Sequence, residues 1–286
     1  MALPPQPWPT GAAETLEPLV RRVLATNPSP FTYTGTQTYL VGDARGLAII
    51  DPGPADEAHL AALLAAIGDA PVLAIVCTHT HRDHSPAAAP LAARTGSPII
   101  GCAPILLDTQ GPRLDAAFDT AYRPDQILRD GDQITGPGFT LTALHTPGHT
   151  SNHLCFALEE TGALFTGDHV MAWSTSVVIP PDGDMGDYLA SLERLHARAD
   201  RIYYPAHGPH IDNPTRLVRH MIGHRRQREA QILKHLPASV DTLVAQMYPS
   251  LAPGLHRAAG FSVLAHLLDL QSREIISQDG DLFFTT

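Results

Sequence analysis

The chain is short of cysteine, of aromatic side chains and of long apolar runs. Cys77, Cys102 and Cys155 are its only cysteines, an odd number and too few for a disulfide framework. Each lies in or beside an apolar stretch, which reads as a reduced, buried thiol and a reducing, cytoplasmic setting. No stretch approaches the roughly 18 apolar residues that a membrane-spanning helix needs. The opening Met1-Ala2-Leu3-Pro4-Pro5 is broken by prolines and has neither a basic start nor an apolar run, so it does not read as a secretory signal. Basic residues are also in deficit, 19 against 29 acidic ones, for a formal charge of −10. Such a surface repels nucleic acid and anionic membranes unless basic residues cluster locally.

What is present is enough for a sizeable core: 286 residues, 44% of them apolar, or one large domain and a smaller one. Residues 1–30 are a proline-rich lead-in, with a short helical pattern at Leu16 to Leu24. Thr38 to Val41 and Leu47 to Ile50 read as an antiparallel strand pair, closed by the turn Asp51-Pro52-Gly53. Asp56 to Ile67 has helical spacing, and Val72 to Val76 is an apolar run suited to a buried strand. Ser85 is expected to cap an alanine-rich helix with Pro86 in its first turn. Pro98 to Gly101 is a short strand, and residues 103 to 130 read as irregular. Further strands are expected at Phe139 to Leu144, Leu154 to Leu158, Ala163 to Phe165 and Ile202 to Tyr204, with a helix at Asp187 to Ala199. Repeated strand-and-helix halves of this kind fit an α/β sandwich, two sheets face to face with helices outside. Past residue 213 the pattern becomes three helices and a terminal hairpin, so we expect domains at 1–213 and 214–286, the second a winged-helix-like module.

Chemistry collects at the strand ends. Thr78-His79-Thr80-His81-Arg82-Asp83-His84 follows the apolar strand. Thr146-Pro147-Gly148-His149, Thr166-Gly167-Asp168 and Ala206-His207-Gly208 follow three others. Neutral imidazole and carboxylate are the ligands zinc takes, and a catalytic ion keeps one position open for water. His79, His81 and His149 would make a three-histidine site. Asp83, His84 and His207 would hold a second ion, with Asp168 bridging the two. A single histidine is more often a hydrogen-bonded core or surface residue, but four matched segments in order are not explained that way.

These segments resemble the metal ligands of the metallo-β-lactamase superfamily, over roughly residues 30–212. The resemblance implies an αββα sandwich and a hydrolase whose nucleophile is a hydroxide shared by two Zn2+ ions, with manganese or iron able to use the same ligands. Asp83 would help to orient the attacking water. Asp168 in the bridging position resembles the thioesterase, lactonase and phosphodiesterase branches rather than antibiotic-hydrolysing enzymes. The tail resembles the winged helix of a subgroup that includes a mitochondrial endoribonuclease acting on single-stranded RNA.

The substrate is therefore expected to be a small ester, thioester or lactone, with single-stranded RNA as the alternative. A third reading is an iron-dependent oxygenase of the sulfur dioxygenase kind, and a fourth a nucleic-acid-binding module with a structural metal. Arg216, Arg219, Arg225, Arg226 and Arg228, with His220 and His224, form the only strongly basic stretch, suited to phosphate contact or to a solvated helix face. The tail from His224 to the end carries six basic and six acidic residues. That balance disfavours duplex DNA and suits a lid or a homodimer element. His145 and His169 flank ligand segments, as supports for the site or as ordinary strand-end hydrogen bonders. Arg82 suits a structural ion pair, and the long loop from Met171 to Asp187 either lines a pocket or merely connects.

Overall fold

Residues 8–105 and 118–286 of the chain are described by a computed structural model. They divide into two compact units. The first comprises Met1–Thr146, Asn152–Thr175 and Ala199–Pro214, and the second Pro147–Ser151, Ser176–Arg198 and Thr215–Thr286.

The first unit is built on two sheets. The larger runs in chain order: β1 (Ala13–Glu17), β2 (Val20–Leu24), β3 (Gln37–Asp43), β4 (Gly46–Ile50), β5 (Val72–Cys77), β6 (Ile99–Gly101) and β7 (Gln126–Ile127). Its first four strands are antiparallel and its last four parallel, and helices carry the first two of the parallel crossovers. These are α1 (Glu57–Ile67), whose cap Asp56 accepts from the His59 amide, and α2 (Ala88–Thr95). The smaller sheet has the order β12 (Ile202–Pro205), β11 (Ala163–Gly167), β10 (Leu154–Leu158), β9 (Phe139–His145), β8 (Gln133–Gly136). One apolar core joins the inner faces of both sheets, from Val20 and Val41 to Phe156 and Tyr204. Tyr39 on β3 meets Phe165 on β11 with ring centroids 5.0 Å apart.

Three local expectations are corrected. Leu16 to Leu24 is not helical: Leu19 sits at φ 71° after Pro18 and turns the chain into the β1–β2 hairpin. Val20, Val23 and Leu24 are buried there, so this is core rather than surface lead-in. Ser85 does not cap α2, which starts three residues later at Ala88 without a side-chain cap. Its hydroxyl instead donates to Asp119, and its amide is held by the His81 carbonyl. Of the stretch expected to be irregular, residues 106–117 lie outside the described residues, and Gln126–Ile127 is the edge strand β7.

The second unit contains α3 (Met185–His196), the greater part of α4 (Pro214–His235), α5 (Val240–Met247), α6 (His256–Ser272) and the hairpin β13 (Ile276–Asp279)–β14 (Leu282–Thr285). Ile232, Leu243, Val263, Leu267 and Phe283 fill its own core. The tail thus has the helices and terminal hairpin that its pattern suggested.

Candidate metal centre

In the first unit the ligand-type residues fall into adjoining groups at strand ends. Ligand atoms of His79, His81 and Asp168 lie within 4.8 Å of one another, as do those of Asp83, His84 and His207. The 79–84 loop follows β5, Asp168 follows β11 and His207 follows β12. Side chains from the ends of three strands therefore converge because the strands themselves are fixed by the sheets.

The charge in this pocket explains its protonation behaviour. His84 and His207 are fully buried. Burial lowers the pKa of the His207 ring, but the Asp168 and Asp83 carboxylates outweigh it and hold the value up at about 9. His84 is likewise raised well above the ordinary range, with burial opposed by Asp83, Asp168 and Asp51. Burial would raise both Asp83 and Asp168. The two histidines instead hold them well below the usual carboxylate range. The Nε2 atoms of His84 and His207 stand 3.2–3.6 Å from carboxylate oxygens. Both are buried and, among the described residues, without a hydrogen-bond partner. Orphaned imidazole nitrogens facing ionised carboxylates are what a divalent cation would satisfy, so the residues fit the metal their types suggested.

The supports of these side chains are as informative as the ligands. Asp51, 2% exposed and at φ 49°, accepts from the Thr78 amide and hydroxyl at 2.8 Å each, and its other contact is His84 Nδ1 at 3.0 Å. A carboxylate behind a ligating imidazole fixes its tautomer and orientation. Sequence reasoning took Asp51 for a turn residue. Its position at the end of the apolar strand β4 was the available signal, the same one that picked out Asp168. His153 was also missed. Its Nε2 takes the Asp168 amide at 3.2 Å and its Nδ1 lies 3.0 Å from the Thr146 hydroxyl. At Gly167, φ is 48° and a Cβ would come within 2.6 Å of His153 Nε2, so the residue before Asp168 must be glycine.

Of the flanking residues, His145 is exposed at the end of β9, while His169 is buried. Arg82 donates to the Phe118 carbonyl rather than to a carboxylate. Phe118 in turn lies against the His81 ring, centroids 4.7 Å apart. Trp173 pairs with Tyr33 at 5.1 Å and packs on Gly208, next to His207.

His149 lies in the turn Pro147–Ser151, which belongs to the second unit. Its Nδ1 is 2.6 Å from the Val177 carbonyl. The turn is tied to α3 through Ser191, which donates to the Pro147 carbonyl, and through the Asp184 amide, which donates to Gly148. Gly148 has φ 132°, and a Cβ there would lie 2.3 Å from the Tyr188 Cα. In the basic stretch, Arg225 is 4% exposed, donates to the Ser176 carbonyl and covers the Tyr188 ring. Arg226 pairs with Glu193 at 2.7 Å.

Fold and site together define a metal-dependent hydrolase: residues 32–207 match the metallo-β-lactamase superfamily model, and the chain belongs to that family. Residues 239–285 match the β-lactamase-associated winged helix domain. Among relatives, the chain is 37% identical to an atrochrysone carboxyl ACP thioesterase of Aspergillus chevalieri, over 83% of this chain and 70% of that one. A solved β-lactamase domain protein from Burkholderia ambifaria shares the fold at a TM-score of 0.79 and 21% identity, covering 97% of this chain and 94% of that one. TTHA1623, solved in a di-iron-bound form, is 30% identical, with a TM-score of 0.54 over 68% of this chain and 96% of that one. The three cysteines are buried and in no disulfide, and among the described residues no helix is long and apolar enough to cross a membrane.

Proposed function

We propose that this chain is a binuclear zinc thioesterase that hydrolyses the thioester of a small acyl group, of the kind an acyl carrier protein presents. The observation that carries the reading is the double group of ligand-type residues around Asp168, with the buried Nε2 atoms of His84 and His207 directed at carboxylates. The relative named as an ACP thioesterase supports the choice of thioester among ester-like substrates.

In this reading His79, His81 and His149 would hold one ion, Asp83, His84 and His207 the other, and Asp168 would be shared between them. The Val177 carbonyl occupies Nδ1 of His149 and leaves its Nε2 as the ligand atom. Two zinc ions there would supply a hydroxide nucleophile at neutral pH and polarise the scissile carbonyl. Asp83, about a quarter exposed at its side chain, is the carboxylate placed to orient the attacking water. Thr78 and Asp51 hold the histidine loop still while charge develops on the substrate oxygen. The chain's basic stretch supports a small substrate over RNA, because Arg225 is buried and Arg226 is neutralised by Glu193.

The test is elemental analysis of the purified protein together with turnover of acyl thioester, lactone, phosphodiester and single-stranded RNA, before and after Asp168→Ala. About two zinc per chain and thioester turnover lost in the variant is the expected result. One iron per chain, or turnover indifferent to Asp168, overturns the mechanism and promotes the oxygenase or nucleic-acid-binding readings.

A further inference from the structure

Three alternating residues leading into and opening β3 bind one short segment at the end of β12 in the other sheet, the stretch 205–208 that carries His207. The Gly35 carbonyl lies 3.2 Å from His207 Nδ1. Gln37 takes three carbonyls: its amide donates to Ala206 at 2.8 Å, and its side-chain Nε2 donates to Pro205 at 3.1 Å and to Gly208 at 2.6 Å. The Tyr39 hydroxyl donates to Pro205 at 2.6 Å. All of this is buried, with Gln37 1% exposed, so each lost bond would leave a carbonyl without water to replace it.

A glutamine amide can face either way, and here the choice is made by a second residue. Arg22, itself 3% exposed, donates through NH1 to Gln37 Oε1 at 2.7 Å and is anchored by Glu14 through Nε and NH2. A guanidinium has only donors. It therefore holds the oxygen of Gln37 toward itself and turns both side-chain N–H bonds toward the 205–208 carbonyls.

We propose that Gln37, oriented by Arg22, is the positioning residue for His207 and sets the affinity of the second metal ion without touching it. This inference rests on the binuclear reading. His79 and His81 depend on the β5 loop and not on the 205–208 segment, so the first ion is coupled to the clamp only through Asp168, which lies 3.2 Å from His207 Nε2. The sharpest variant is Gln37→Glu, which keeps an acceptor for Arg22 but sets a carboxylate oxygen against the carbonyls of Pro205 and Gly208.

The experiment is zinc titration of metal-stripped protein against a chromophoric chelator, with thermal unfolding as a check on folding. Wild-type protein is expected to take up two ions. In Gln37→Glu the second should bind about 10- to 100-fold more weakly, the usual effect of losing a group that supports a ligand, and the first should weaken by clearly less. Arg22→Met should move the second ion in the same direction by less, because the amide is then free to turn. The selective loss of one ion is a readout that a general loss of stability would not produce. Unchanged binding of the second ion in both variants, or equal weakening of both ions, overturns the proposal. A wild-type chain that takes up one ion overturns the binuclear reading itself, and the inference with it.

Discussion

Two regions of this molecule bury histidines with at least one ring nitrogen that finds no hydrogen-bond partner among the described residues, and they do so in opposite electrostatic settings. In the first unit, burial lowers the pKa values of His84 and His207, but Asp83 and Asp168, joined at His84 by Asp51, outweigh it and hold them up. In the second, His266 on α6 is 1% exposed with both ring nitrogens orphaned. Burial first, then the positive charges of Arg225, His224, Arg228 and Arg273, push its pKa down to about 3. An orphaned buried imidazole is thus not a metal signal by itself. Convergent carboxylates make the first region attractive to a cation, and the arginines make the second repel one.

The comparison breaks most readily at its acidic pole. Asp168→Ala should cost thioester turnover about 10²- to 10⁴-fold, the range associated with losing a group that handles protons or developing charge, while His266→Leu should leave kcat near wild type. Equal losses measured by steady-state kinetics would erase the distinction. Asp51→Asn tests whether the supporting carboxylate matters as charge. Zinc affinity should fall about 10- to 100-fold, read by chelator competition, although the asparagine is nearly the same shape.

A pH series sharpens the other pole. His266 has a folded pKa depressed from its ordinary 6.5 to about 3, so below pH 6.5 the unfolded chain takes up a proton that the folded one refuses. Its neutral burial is compatible with full stability above about pH 6.5, and that stability is lost as the pH falls toward 3. Hydrogen exchange of α6 should show protection declining over that window, and His266→Leu should flatten the decline. The smallest effect is expected at the surface. Arg226→Ala breaks an exposed pair with Glu193, worth about 0.5 kcal/mol or less, and should leave thioester turnover unchanged.

The ligand segments were legible because each follows an apolar strand, and a strand end is a fixed point. The same logic applied to Asp51 would have found it, but Asp-Pro-Gly is also a turn sequence, and the turn reading won. His153 was illegible. It lies just before β10 and earns its role through Thr146 and Asp168, partners 7 and 15 residues away that only the folded sheet brings near. Leu16 to Leu24 read as helical because the spacing of its apolar residues suits either period. The left-handed turn at Leu19 and pairing with β3 decide for strand. The fate of the basic stretch was equally hidden, since sequence cannot say that Arg225 folds inward over Tyr188.

The ligand-type groups of the first unit are drawn from segments after β5, β11 and β12, and their supports from β3 and β4. No such arrangement survives unfolding, so any ion held there binds the folded chain alone. Mass action then adds to stability in proportion to the logarithm of free metal over its dissociation constant, about 2.7 kcal/mol at a hundredfold excess. The quantity of folded protein becomes a function of metal supply. A chain that held metal in this pocket would report its availability through its own persistence, before it had turned over a single substrate.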